Sequence, residues 1–189
     1  MKKIVFYGSG NISQALISGL LSSGYKKNLI EFIDRNKINS RKTKKLGATK
    51  TNLKTIDTKS IIFLGVKPKD AMNAYAEICA VVKKPKIVSL VAGIKSNKYL
   101  SKSKGVELIR AMPNTSSQFN KGITAICNCN ANKTTFNQVS SIFKKVGTTI
   151  DITKENKIDD FTGLIGSGPA YFFYLLKVYE KRILKLCDG

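Results

Sequence analysis

The chain has 189 residues, 42% of them hydrophobic, enough to bury one full α/β domain and to begin a second unit. Its 33 basic residues outnumber 12 acidic ones for a net charge of +21, but only Arg35, Arg41, Arg110 and Arg182 are arginine and the lysines scatter through every segment; a base-reading surface wants arginine forks and stacking rings together, so no specific nucleic-acid partner is expected. With no histidine to complete a zinc site beside Cys79, Cys127, Cys129 and Cys187, no apolar run of membrane-spanning length and too short an apolar start for a signal peptide, the expectation is a cytoplasmic chain with reduced thiols, no metal and no membrane partner.

A β-branched run at residues 3–7 predicts the first strand, and Gly8-Ser9-Gly10-Asn11-Ile12-Ser13 follows it directly. A helix over residues 11–23 comes next, with Ile12, Ala15, Leu16, Gly19 and Leu20 on one apolar stripe. This strand, glycine turn and helix form the dinucleotide-binding fingerprint: Gly8 permits the tight turn, Gly10 lets the backbone approach a pyrophosphate, and Ser13 stands where a third small residue packs helix against strand. The helix start then offers free N–H groups to the phosphates.

A second strand, residues 29–34, ends at Asp34, 24 residues after Gly10, where the fingerprint's acid meets the adenosine ribose. Arg35 comes next. An acid accepts hydrogen bonds from the ribose 2′-hydroxyl and an arginine pairs with a 2′-phosphate, so NAD and NADP both stay open; the alternative is a solvated turn closing the strand.

A helix is expected over residues 38–46 and a strongly apolar strand over 60–65. Val66-Lys67-Pro68 then leaves the carboxyl edge of the sheet, ahead of a helix over 70–81. The strand at 86–91 runs into the small-residue stretch Ser89-Leu90-Val91-Ala92-Gly93. Strands at 106–111 and 122–127, a helix at 133–146 and a further strand at 149–152 complete an alternation typical of a Rossmann-type parallel sheet with crossover helices. After residue 158 the pattern changes to helix alone, over 158–165 and 169–186, with Pro169 in a first helical turn. The polar run at 153–157 marks a domain boundary, giving a dinucleotide-binding domain at 1–154 and the start of an all-helical unit at 155–189.

Four motifs in order carry a family resemblance: Gly8 to Asn11 (G-S-G-N), Val66 to Pro68 (V-K-P), Arg110 to Thr115 (R-A-M-P-N-T) and Gly166 to Tyr171 (G-S-G-P-A-Y). With Glu155, Asp159 and Thr162 leading into the last of them, the chain resembles pyrroline-5-carboxylate reductase from about Lys3 to Tyr174. Ser116 stands where the family usually has proline, and Ile165 where it has serine.

The resemblance implies hydride transfer from a nicotinamide cofactor, NADP with NAD as the other option, to the C=N carbon of an imino acid. Carried over by position, Tyr7, Gly8, Ser9, Gly10, Asn11 and Ile12 hold the pyrophosphate, Asp34 and Arg35 lie by the adenosine ribose, and Asn52 lies near the adenosine. Val66, Lys67, Pro68, Leu90 and Ala92 line the nicotinamide side, and Asn114 sits at the cleft. A protonated imine is already electrophilic, so the site mainly orients donor and acceptor, and the sequence nominates no catalytic acid or base. Members of the family continue into a helical bundle that pairs subunits and anchors the substrate carboxylate. The 189-residue chain is therefore expected to be catalytically weak by itself, and a non-catalytic dinucleotide-binding fragment is the alternative reading.

Overall fold

Strand β1 (Ile4–Tyr7) is buried at every position, the mark of a central strand covered on both faces. Ile4 and Phe6 enter one core and Val5 and Tyr7 the other, as a period of two requires. The computed structural model describes residues 1–187 and arranges eight strands in one sheet. The others are β2 (Ile30–Ile33), β3 (Thr49–Lys50), β4 (Ile61–Leu64), β5 (Lys86–Ser89), β6 (Glu107–Met112), β7 (Gly122–Asn128) and β8 (Gly147–Asp151). Their order is β3-β2-β1-β4-β5-β6-β7-β8.

The first core lies under α1 (Asn11–Ser22) and α5 (Lys133–Lys144): Leu16, Ile17 and Leu20 meet Phe6, Phe63 and Phe143 there. The second lies under α3 (Ala71–Val81) and the short α4 (Ser96–Leu100), where Tyr75, Ile78 and Tyr99 cover Val5, Ile62 and Leu64. Between β2 and β3, α2 (Lys37–Leu46) is capped at its start by Asn36, whose side chain accepts from the Asn39 N–H at 3.0 Å.

The expected parallel crossovers hold from β3 through β6, but β7 runs antiparallel to β6, pairing Arg110 with Cys127, and β8 is parallel to β7. The segment from Met112 to Gly122 holds only a 3-10 turn (Thr115–Phe119). It is shorter than the roughly dozen residues a parallel crossover needs, so the chain reverses instead.

A second correction concerns Pro169. Helix α6 (Lys157–Phe161), a π-helical stretch (Thr162–Ser167) and α7 (Gly168–Leu186) follow without a break, so Pro169 does not open a separate helix. In the widened turn the Gly168 N–H reaches back five residues to the Gly163 carbonyl. That looser turn accommodates a proline that an unbroken α-helix would resist. Ile158 is fully buried and docks α6 on the sheet beside Met112, Ala125 and Cys127, whereas α7 has no buried residue.

Candidate functional site

The order of the strands switches between β1 and β4, and ligands in doubly wound folds enter the crevice outside the carboxyl ends at such a point. There the structure has a cavity of about 320 Å³ lined by Tyr7, Gly8, Ile33, Asp34, Arg35, Asn36, Val66, Asp70, Asn73, Ala74 and Glu77. A cleft of about 550 Å³ beside Met1, Lys2 and Tyr25 is larger, but it lies at the amino edge of the sheet.

Each glycine of the turn has a different job. Gly8 has φ +90°, and a Cβ there would lie 2.7 Å from the Gly65 carbonyl oxygen and from Val66 Cγ1, so the turn packs directly on the end of β4. Gly10 caps α1 with ordinary backbone angles, and a Cβ there would meet nothing within 4 Å. The protein leaves that space open. Buried Ser13 donates from Oγ to the Gly8 carbonyl at 2.7 Å, and the Gln14 amide donates to the Ser9 carbonyl at 2.6 Å, so the first turn of α1 holds the loop from behind. The leading N–H groups of a helix have no intrahelical acceptor, and Asn11 and Ile12 begin the helix itself.

Asp34 is already engaged. Its Oδ2 accepts from the Ser9 backbone N–H at 2.7 Å and from Ser9 Oγ at 2.8 Å, while Oδ1 accepts from the Asn36 N–H at 2.7 Å. The acid thus ties the glycine turn to the end of β2. Beside it, Arg35 donates from Nη2 to Glu77 Oε1 at 2.5 Å, and the Tyr7 hydroxyl donates to Glu77 Oε2. The hydrogen bond from Tyr7, with that from Arg35, holds the Glu77 carboxyl below its usual range. Burial, helped by Glu77, pushes Tyr7 up to about 12, so its phenol stays protonated as the donor.

Of the residues expected at the site, Tyr7, Gly8, Asp34, Arg35 and Val66 line this cavity, whereas Ser9, Gly10, Asn11 and Ile12 follow Gly8 along the turn and helix start without lining it, and Asn11 lines a separate cleft beside Gln14 and Ser18. Asn52, Lys67, Pro68, Leu90, Ala92 and Asn114 follow the carboxyl ends of β3, β4, β5 and β6 at the same edge but do not line it. Exposed Asn52 caps a 3-10 turn by accepting from the Lys54 N–H at 3.0 Å. Lys67 precedes the 3-10 turn that Pro68 begins, and the buried Leu90 donates its N–H to the Leu64 carbonyl at 3.0 Å. Ala92 packs against the cluster of Met112, Ala125, Cys127 and Ile158. Asn114 Oδ1 accepts from the Ile123 N–H at 3.0 Å, bracing the loop between β6 and β7.

Sequence reasoning missed two features. Glu77 is one. Its signal was the edge Asp70, Asn73, Glu77, spaced as successive turns of a helix and so on one side of it. The other is the role of Arg110, whose side chain is 1% exposed and bonds Glu155 Oε1 at 2.9 Å and Asp159 Oδ1 at 3.4 Å. Glu155 also accepts from the Ser96 backbone N–H at 2.6 Å and from Ser96 Oγ at 2.7 Å. Burial is the strongest single influence on Glu155 and opposes its charge, but the bonds from Ser96 and Arg110 together outweigh it and hold the carboxyl below its usual value. Nearby, burial raises the Cys127 thiol and pushes Cys129 up to about 12, so neither is a ready nucleophile.

Residues 3–93 match the family model described as NADP oxidoreductase coenzyme F420-dependent. Pyrroline-5-carboxylate reductase 1 of Bacillus subtilis is 31% identical over 95% of the chain, which spans 63% of that relative's length. The pyrroline-5-carboxylate reductase of Haemophilus influenzae is 30% identical over 98% of the chain, which covers 70% of it. The chain belongs to the pyrroline-5-carboxylate reductase family. The solved structure of the Coxiella burnetii pyrroline-5-carboxylate reductase matches with a TM-score of 0.83 and 29% identity, over 98% of this chain and 71% of that one. This member of the family therefore has its fold, a mainly parallel Rossmann-type sheet with crossover helices followed by a long helix. No helix of the described residues is long and apolar enough to cross a membrane.

Proposed function

We propose that the protein reduces the C=N bond of 1-pyrroline-5-carboxylate to L-proline with NADPH, NADH being the second option. The observation that carries this reading is the open space at Gly10, on a glycine turn locked in place by Ser13 and Asp34 at the switch point of the sheet. Bound there, the dinucleotide supplies a hydride to the imine carbon. The chain's own residues bind and orient: the turn from Tyr7 to Ile12 takes the pyrophosphate, Arg35 the adenosine end, and the edge formed by Val66, Lys67, Pro68, Leu90, Ala92 and Asn114 the nicotinamide side. Asp34 acts mainly by shaping the turn and Asn52 by shaping the loop after β3. Arg110 is a positioning residue, fastening the segment from Glu155 to Asp159 onto β6.

Residues 1–154 form the cofactor domain and the segment from 155 begins a helical unit, its expected last residues 188 and 189 lying outside the described residues. The aromatic and aliphatic side chains of α7, Phe172, Phe173, Leu175 and Leu176 among them, are exposed and form the surface through which copies of the protein associate. The reaction takes place in the cytoplasm. Incubating the purified protein with 1-pyrroline-5-carboxylate and NADPH, with proline detected by mass spectrometry, tests the reading. Proline formed in step with dinucleotide oxidation supports it, and no proline from a preparation that binds NADPH counts against it.

A further inference from the structure

The mouth of the 320 Å³ cavity is unusual in its charge. Four ionisable side chains from β2, α3 and their flanks line it besides Tyr7: the carboxylates of Asp34, Asp70 and Glu77, and the single guanidinium of Arg35. In a chain of net charge +21 this is a local excess of negative charge. Arg35, the one cation among the lining residues, is held by Glu77 at 2.5 Å while its side chain stays 82% exposed. Glu77 is in turn fixed from the far side by the Tyr7 hydroxyl, so its carboxylate stands between the end of β1 and the end of β2.

We infer, building on the dinucleotide reading above, that Glu77 is the specificity-determining residue that sets the preference between NADPH and NADH. A 2′-phosphate must draw Arg35 away from Glu77 and then sit beside a carboxylate that repels it. A 2′-hydroxyl has no such conflict, because it donates to a carboxylate and needs no cation. Glu77 therefore lowers affinity for NADPH without lowering affinity for NADH and narrows the gap that Arg35 alone would create. Pairing with Tyr7 strengthens the effect, because it keeps the carboxylate in place when Arg35 leaves.

Calorimetric titration of NADPH and NADH into the full chain and its variants, at one low ionic strength, reads the effect. Glu77→Gln should tighten NADPH relative to NADH by about tenfold, the scale of one charge-assisted contact. Glu77→Ala, which suits a helix and needs no partner, should move the ratio the same way. In an Arg35→Ala background the same substitutions should move it less, since no cation is left to release and only the direct repulsion of the phosphate by Glu77 remains. A purely structural role for Glu77 would change both affinities together. An unchanged ratio in both Glu77 variants, with both dinucleotides still binding, overturns the assignment while leaving the dinucleotide reading intact. If the unsubstituted chain binds neither dinucleotide, the reading beneath it fails as well.

Discussion

The Asp34 carboxylate and Ser9 are joined twice, through the Ser9 backbone N–H and through its hydroxyl, both onto Oδ2. Ser9 is fully buried, so these bonds answer donors that water does not reach. The acid at the end of β2 is therefore part of the glycine turn before it is part of any ribose site.

Asp34→Ala should destabilise the protein by about 2 kcal/mol, the cost of leaving buried donors unmet. It should also weaken NADPH and NADH to similar extents, because the turn that both share is loosened. Urea denaturation and paired titrations check the two halves. Unchanged stability with selective loss of NADH would mean that Asp34 serves the ribose directly.

Glu155 links acid stability to the Arg110 clamp. Its folded pKa lies below the ordinary value of 4.5, so its contribution is fully present above that pH and is lost as pH falls through the depressed value. Glu155→Gln should cost about 2 kcal/mol at neutral pH, less than removing the sole partner of a buried arginine, because Asp159 still faces Arg110. The variant's stability should depend less on pH below 4.5 than that of the unsubstituted protein. Parallel acid-denaturation curves would count against the clamp.

Much of this fold was legible from period alone. Runs such as Ile61-Ile62-Phe63-Leu64 are apolar at every position because both faces of β4 are covered, and the expected strands fall within a few residues of those found. Strand direction was not legible, since the alternation in β7 reads the same either way along the sheet. The glycine turn was legible because backbone freedom leaves a trace in residue type. Glu77 was not, because a polar residue on a helix edge looks like any solvated position until β1 and β2 are brought against it. Arg110 did leave a trace: a cation inside Leu108-Ile109-Arg110-Ala111-Met112 demands carboxylate partners, and the partly exposed Glu155 and exposed Asp159 supply them.

Helix α7 contributes little to the stability of the sheet. In the dissociated chain, Phe172→Ala and Leu176→Ala should each change the unfolding free energy by less than about 0.5 kcal/mol, as expected for residues with no buried contact within one copy. The same substitutions should lower self-association in sedimentation experiments if this face pairs with another copy. Losses of several kcal/mol would show that α7 packs on the sheet in solution.

Gly8→Ala separates the two glycines of the turn. With φ +90° and a Cβ pressed on Gly65 and Val66, it should cost roughly 1–3 kcal/mol in strain alone, with the melting temperature lowered accordingly. Full stability would mean that the loop after β4 gives way easily.

Gly10 tests the central claim most directly. A Cβ at this position meets no atom within 4 Å beyond its chain neighbours and lies in open space, so Gly10→Val should fold and melt close to the unsubstituted chain. The space it fills is the one assigned to the pyrophosphate. Calorimetric titration with NADPH should give clear binding to the unsubstituted protein and binding weakened at least about a hundredfold in the variant, comparable to losing two good contacts. Equal affinity in two equally stable proteins would contradict dinucleotide binding at this turn.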